Sequence, residues 1–144
     1  MLVQQILKSK PTQGVDTIEP GSTVAQVAEA LSKKRIGALV VSPDGKAVAG
    51  IVSERDIVRE LGARGPSCMA ETVDSLMTRD IISCTGEETS DAVLAKMTQG
   101  RFRHMPVMDG ADMVGLISIG DVVKAQLSKL AMEKEALESM IKGF

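Results

Sequence analysis

The 144-residue chain sets 17 Lys and Arg against 19 Asp and Glu, for a net charge of -2 at pH 7, with 44% apolar and 25% charged residues. That is an ordinary globular composition, long enough for one core or two small halves sharing one, and its charge balance gives no general attraction to nucleic acid or anionic lipid. Cys68 and Cys84 with a single histidine make neither a zinc framework nor a secreted disulfide scaffold, and neither a signal peptide nor a membrane-length apolar run is found, so a cytoplasmic protein is expected.

Taken in order, Val3, Ile6 and Leu7 share a spacing that returns as Val73, Leu76 and Met77. Each set precedes a repeat and predicts a short docking helix. Asp16 to Thr23 reads as a brief strand ended by Pro20-Gly21. Val24, Val27, Ala28 and Leu31 form one helical stripe, with Thr23 and Gln26 as its capping box. Ile36 to Val41 and Val48 to Val52 predict a hairpin about Pro43-Asp44-Gly45, and the helix from Glu54 is expected to end near Leu61-Gly62.

After a connector at 62–67 the order recurs: a brief strand at Ile81 and Ile82, a helix from Asp91 to Met97, then strands Phe102 to Met108 and Met113 to Ile117. Thr17 to Leu39 matches Ser83 to Met105 at an offset of 66, and Gly50 onward matches at 65. The fold class is therefore α/β (α+β), a tandem pair of β-α-β-β-α repeats about a pseudo-twofold axis. The expected divisions are residues 1–66, residues 67–127, and a C-terminal amphipathic helix over 128–144. The tail carries Leu127, Leu130, Leu137, Met140 and Ile141 on one side, a face that could pack on its own domain or on another subunit.

Each repeat closes on the same motif, Gly50-Ile51-Val52-Ser53-Glu54-Arg55-Asp56 and Gly115-Leu116-Ile117-Ser118-Ile119-Gly120-Asp121. A strand runs into a capped helix. The serine accepts from free helix N–H groups, the same end favours an anion, and the aspartate can accept from vicinal hydroxyls, which together suggest a nucleotide site. A single Ser-x-x-Asp is also a plain capping box. Its duplication in matching register is what adds weight to the functional reading.

Two β-α-β-β-α units, each closing with Gly-apolar-apolar-Ser-x-x-Asp-apolar-apolar-basic, resemble the cystathionine-β-synthase (CBS) domain pair, or Bateman module, over about residues 1–127. Arg59 and Lys124 supply the terminal basic residue. The resemblance implies a non-catalytic regulatory module that binds an adenosyl ligand such as AMP, ATP, NAD(H) or S-adenosylmethionine between the repeats. It also implies a homodimer and an unidentified regulated protein, with no catalytic cofactor, metal, nucleic acid or membrane partner. By the same resemblance one cleft uses Ser118 and Asp121 for phosphate and ribose, Leu116 and Ile36 against the base, and Ile18 beside it, with Arg103 and His104 on the facing strand. The other uses Ser53 and Asp56, with Ile51, Phe102 and Cys84 around the base, and offers only Gly37 and Ala38 on its facing strand. Arg55 could reach an anion where Gly120 cannot, yet the cationic strand predicts tighter phosphate binding in the Ser118/Asp121 cleft. The rivals are a ligand-free dimerisation scaffold and an enzyme, the latter lacking a nucleophile paired with a base.

Overall fold

A computed structural model of the chain describes residues 1–142; residues 143–144, the end of the expected C-terminal helix, lie outside the described residues. The elements run α1 (Val3–Ser9), β1 (Thr17–Ile18), α2 (Val24–Lys34), β2 (Ala38–Val41), β3 (Gly50–Ser53), α3 (Glu54–Arg64), α4 (Ser90–Gly100), β4 (His104–Asp109), β5 (Asp112–Ser118) and α5 (Ile119–Ile141). Each of the longer helices starts on a hydroxyl: Thr23, Ser53, Thr89 and Ser118 accept from the third helical N–H of α2, α3, α4 and α5. Arg35 and Arg101 close α2 and α4 in the left-handed region, with φ 54° and 57°, where glycine is more usual.

The described residues divide into two compact units, one of residues 14–82 with 110–114, the other of residues 1–13, 83–109 and 115–142. In the first, β1-β2-β3 form a sheet, β1 parallel and β3 antiparallel to β2, with Val40 opposite Ile51. Its core joins Val24, Val27 and Leu31 of α2, Leu39, Val41 and Val52 of the sheet, and Ile57 of α3. In the second, β4 and β5 pair, and Met97, Met105, Ile117 and Val122 fill the core.

The docking segments are exchanged between repeats. Val3 and Ile6 of α1 sit in the core of the unit that holds the second repeat, whereas Val73, Leu76 and Met77 sit in that of the first. The exchange holds bond by bond. Val3 N–H donates to Glu88 O and Ser90 N–H to Met1 O; correspondingly, Val73 N–H donates to Ser22 O and Val24 N–H to Glu71 O. In each pair one partner is related by the 66-residue offset of the repeats and the other by a 70-residue offset between the docking segments. Divisions drawn along the chain at 66 and 127 thus differ from the compact units, because each repeat is completed by the segment that precedes the other.

The exchange also accounts for the glycine that opens each motif. A Cβ at Gly50 would lie 2.5 Å from Met77 Sδ, and one at Gly115 2.7 Å from both Leu7 methyls. Only a bare backbone lets the exchanged segment lie this close.

Several expected bounds shift. No strand forms at Ile81 and Ile82; the contact is a parallel bridge from Cys84 to Val107, the position that the 66-residue offset assigns to Ile18. The helix beginning at Glu54 passes through Gly62 and ends at Gly65, whose φ of 80° stops it. The segment at Val73 is a 3-10 turn, Val73–Ser75, and not an α-helix. The C-terminal helix is no separate element: α5 runs unbroken from the Ser118 cap to Ile141.

Candidate functional site

Both Ser-Asp corners form, each inside its own unit. In the first, Asp56 Oδ2 accepts from Ser53 N–H at 2.8 Å and from its hydroxyl at 3.1 Å, while Ser53 Oγ accepts from Asp56 N–H at 3.3 Å. In the second, Asp121 Oδ2 accepts from Ser118 N–H at 2.9 Å, and Ser118 Oγ from Asp121 N–H at 3.1 Å. Each corner is a complete capping box. The first helical N–H is also taken, Glu54 donating to Gly37 O at 2.9 Å and Ile119 to Arg103 O at 2.8 Å. Of the first three helical donors in each corner, two serve the fold, so the N–H of Arg55 or of Gly120 is the one left to point at an anion.

The aspartates differ in their cation. Arg59, one turn along the same helix, reaches Asp56 Oδ1 at 2.9 Å. Asp121 is instead met by Lys10, whose Nζ lies 3.1 Å from Oδ2 and donates to Leu116 O at 3.0 Å. Lys10 arrives on the exchanged segment, and sequence reasoning missed it. The 70-residue offset between the docking segments puts Asp80 in the matching place, so a reader who knew of the exchange could have found this asymmetry. Partial burial pulls the Asp121 carboxyl upward, but the Ser118 N–H and the Lys10 ammonium outweigh it and hold the group below the usual carboxylate range.

The remaining expected residues fall as follows. Leu116 and Gly120 belong to the Ser118/Asp121 corner; a Cβ at Gly120 would meet only Ser118 Oγ, at 3.6 Å, so that approach is open. Arg103 is exposed and His104 half-buried at the start of β4. Ile18 and Ile36 pack on the core of the other unit, and Ile51 is buried in β3. Ile36 and Gly37 line a cavity of about 520 Å³ between α2 and α3, with Leu31, Arg35, Ile57 and Val58, and neither Ser53 nor Asp56 is in its wall. Each expected cleft therefore draws on residues of both units, and what the structure brings together is each corner with its own cation. Phe102 packs on the second unit's core.

Cys84 is 2% exposed among Val93, Met97 and Val107, and its N–H and carbonyl are bonded to Pro106 O and Met108 N–H. Desolvation, with the Glu88 carboxylate nearby, pushes its thiol up to about 11.

Among the described residues no group of three or more His, Cys, Asp or Glu could hold a metal ion, and no helix is long and apolar enough to cross a membrane. The family model of the CBS domain matches twice, over residues 3–63 and 73–128. The mitochondrial CBS domain-containing protein CBSX3 of Arabidopsis thaliana is 35% identical over 125 residues, covering 84% of this chain and 61% of that protein. The chain spans only 22% and 23% of two further Arabidopsis relatives. Among solved structures, a CBS-domain containing protein from Agrobacterium tumefaciens superposes with a TM-score of 0.83 at 36% identity, covering 88% of this chain and 99% of that one. The CBS domain pair of protein MJ0100, solved with 5'-methylthioadenosine and S-adenosyl-L-methionine, gives 0.77 at 27% identity, covering 90% and 98%. With both repeats matched by the family model and the Ser-Asp corner formed in each, the chain belongs to the CBS domain family and carries a pair of its repeats.

Proposed function

We propose that the chain is a non-catalytic regulatory module that binds an adenosyl ligand of the AMP, ATP or NAD(H) class and passes its occupancy to a protein partner. The observation that carries this reading is the twice-formed corner, with a carboxylate and one spare helical N–H in the same register. The adenosyl compounds bound by the MJ0100 pair support the ligand class. Ser118, Asp121, Leu116, Gly120, Arg103 and His104, with Ile18 and Ile36, make one site; Ser53, Asp56, Arg55, Ile51, Phe102, Cys84 and Gly37 make the other. The two repeats supply the two halves, each completed by the segment that precedes the other. The module works as a homodimer in a reducing cytoplasm, in keeping with its two buried free thiols.

Calorimetric titration with AMP, ATP, NADH and S-adenosylmethionine, repeated on Asp121→Asn and Asp56→Asn proteins, tests the reading. Asparagine keeps an acceptor for the cap while weakening the grip on two hydroxyls. The larger affinity loss is expected for Asp121→Asn, since Lys10 and Arg103 add positive charge to its unit. No heat with any adenosyl compound at millimolar concentration would refute it and favour the second reading, a ligand-free scaffold, which gains from both aspartates already holding a cation.

A further inference from the structure

The exposed side of α5 carries a pattern that the nucleotide reading does not use. Val123, Leu127, Leu130, Lys134, Leu137 and Ile141 follow one another at alternating steps of four and three residues, the a/d seam of a heptad repeat. The five apolar members are 43%, 62%, 60%, 59% and 82% exposed. The helix is tied to its own unit along a different stripe, where Val122 and Ala125 are buried and Gln126 and Lys129 bond Asp91. At 3.6 residues per turn the seam lies roughly a quarter-turn round from that stripe and runs for about 27 Å.

We propose that this seam is covered by the same seam of a second copy, with the two helices antiparallel and the dyad opposite residue 132. The proposal rests on the self-association put forward above and specifies its geometry. Charge chooses the direction. In a parallel pair Lys134 meets its own copy in the seam, and Glu133 on one helix faces Glu138 on the other twice over, so like charges oppose at every flanking level that is charged on both sides. Antiparallel, Val123 meets Ile141, Leu127 meets Leu137, and Lys134 lays its methylene stem across Leu130 of the second copy. Its ammonium reaches out to Glu133 of that copy. The two Glu133 carboxylates that face each other beside the dyad are thus each countered by a lysine, whereas the parallel Glu133 and Glu138 pairs have no such cation. At the ends Lys124 faces Glu138 of the second copy, a complementary pair that occurs twice. A self-complementary surface of this kind closes as a twofold dimer and leaves no free end to propagate.

Val123→Cys and Ile141→Cys full-length proteins, mixed under mild oxidation, are expected to form a mixed disulfide dimer, whereas neither should cross-link alone. Both positions are exposed, and native Cys68 and Cys84 are buried, so the variants fold and the background is low. Cross-linking of Ile141→Cys with itself would overturn the antiparallel direction. Failure of the mixture to cross-link would overturn the seam. Light scattering on the unmodified protein separates the two ideas: a dimer that persists without the mixed disulfide leaves self-association standing and removes this interface. Adding Leu130→Glu and Leu137→Glu to both cysteine proteins should abolish the cross-link, and a cross-link that survives both charges would also overturn the seam.

Discussion

The exchange of docking segments makes a quantitative demand on Gly115. A Cβ added there would lie 2.7 Å from both Leu7 methyls and 3.3 Å from its Cγ, against an optimum of about 3.5–4.0 Å for carbon contacts. Leu7 must then change rotamer or α1 must lift. Overpacking of this kind costs about 1–3 kcal/mol, and removing a glycine from the unfolded chain returns about 0.4–1 kcal/mol, so Gly115→Ala should destabilise by about 1–2 kcal/mol. Leu7 is half-buried, so Leu7→Ala should cost about 1–2 kcal/mol, below the range of about 2–5 kcal/mol for a fully buried leucine. If Leu7 is the obstacle, the double variant costs no more than Leu7→Ala alone, and the cycle shows a coupling of about 1–2 kcal/mol. Urea denaturation of the four proteins, with common m-values, measures it. Additivity within about 0.3 kcal/mol would mean that α1 does not lie on Gly115, and the exchanged arrangement would be wrong.

Gly50→Ala should cost more than Gly115→Ala and be only partly rescued by Met77→Ala, because its Cβ would also meet the backbone oxygen of Thr78 at 3.0 Å; full rescue in urea melts would count against this. Lys10→Met should destabilise by about 0.5–1 kcal/mol at pH 7. Since the folded Asp121 carboxyl is held low, the stability it adds is present above its unfolded pKa and lost as pH falls through the folded value. The gap between wild type and Lys10→Met should therefore narrow below about pH 4, and an equal gap at pH 7 and pH 3 would contradict the pairing. Cys84, its thiol raised to about 11 by burial, should react with a disulfide reagent at pH 8 only as fast as the protein unfolds; immediate labelling in native buffer would place it at the surface.

The repeat was legible because its register is fixed by residues that each have a single local job: Thr23, Ser53 and Ser118 cap, Asp56 and Asp121 answer them, and Gly50 and Gly115 admit a neighbour. The short elements were less so. Ile81-Ile82 looks more strand-like than Ser83-Cys84, yet pairing occurs where backbone partners exist, at Cys84 and Val107. Gly62 resembles a helix stop but sits in α3 with open space around it, while Gly65 adopts the positive φ that ends the helix. Periodicity finds Val3, Ile6 and Leu7 as a buried stripe and cannot say against which repeat, since both repeats present a glycine to receive it.

That ambiguity is where the two corners part. Arg59 and Asp56 belong to one turn of α3, so their pair survives as long as that helix does. Lys10 and Asp121 are 111 positions apart and meet only because α1 docks beside β5. A seven-residue helix has no stability of its own, so this pair exists to the extent that Val3, Ile6 and Leu7 stay packed. Any ligand that takes the Asp121 carboxylate must share it with Lys10 or displace it. Displacement would loosen the last polar tie of a segment that continues, within a few residues, into β1 of the other unit. Binding can shift an equilibrium only through such a difference between states. Of two corners built from one motif, the one at Asp121 has its charge balance tied to how the chain is assembled.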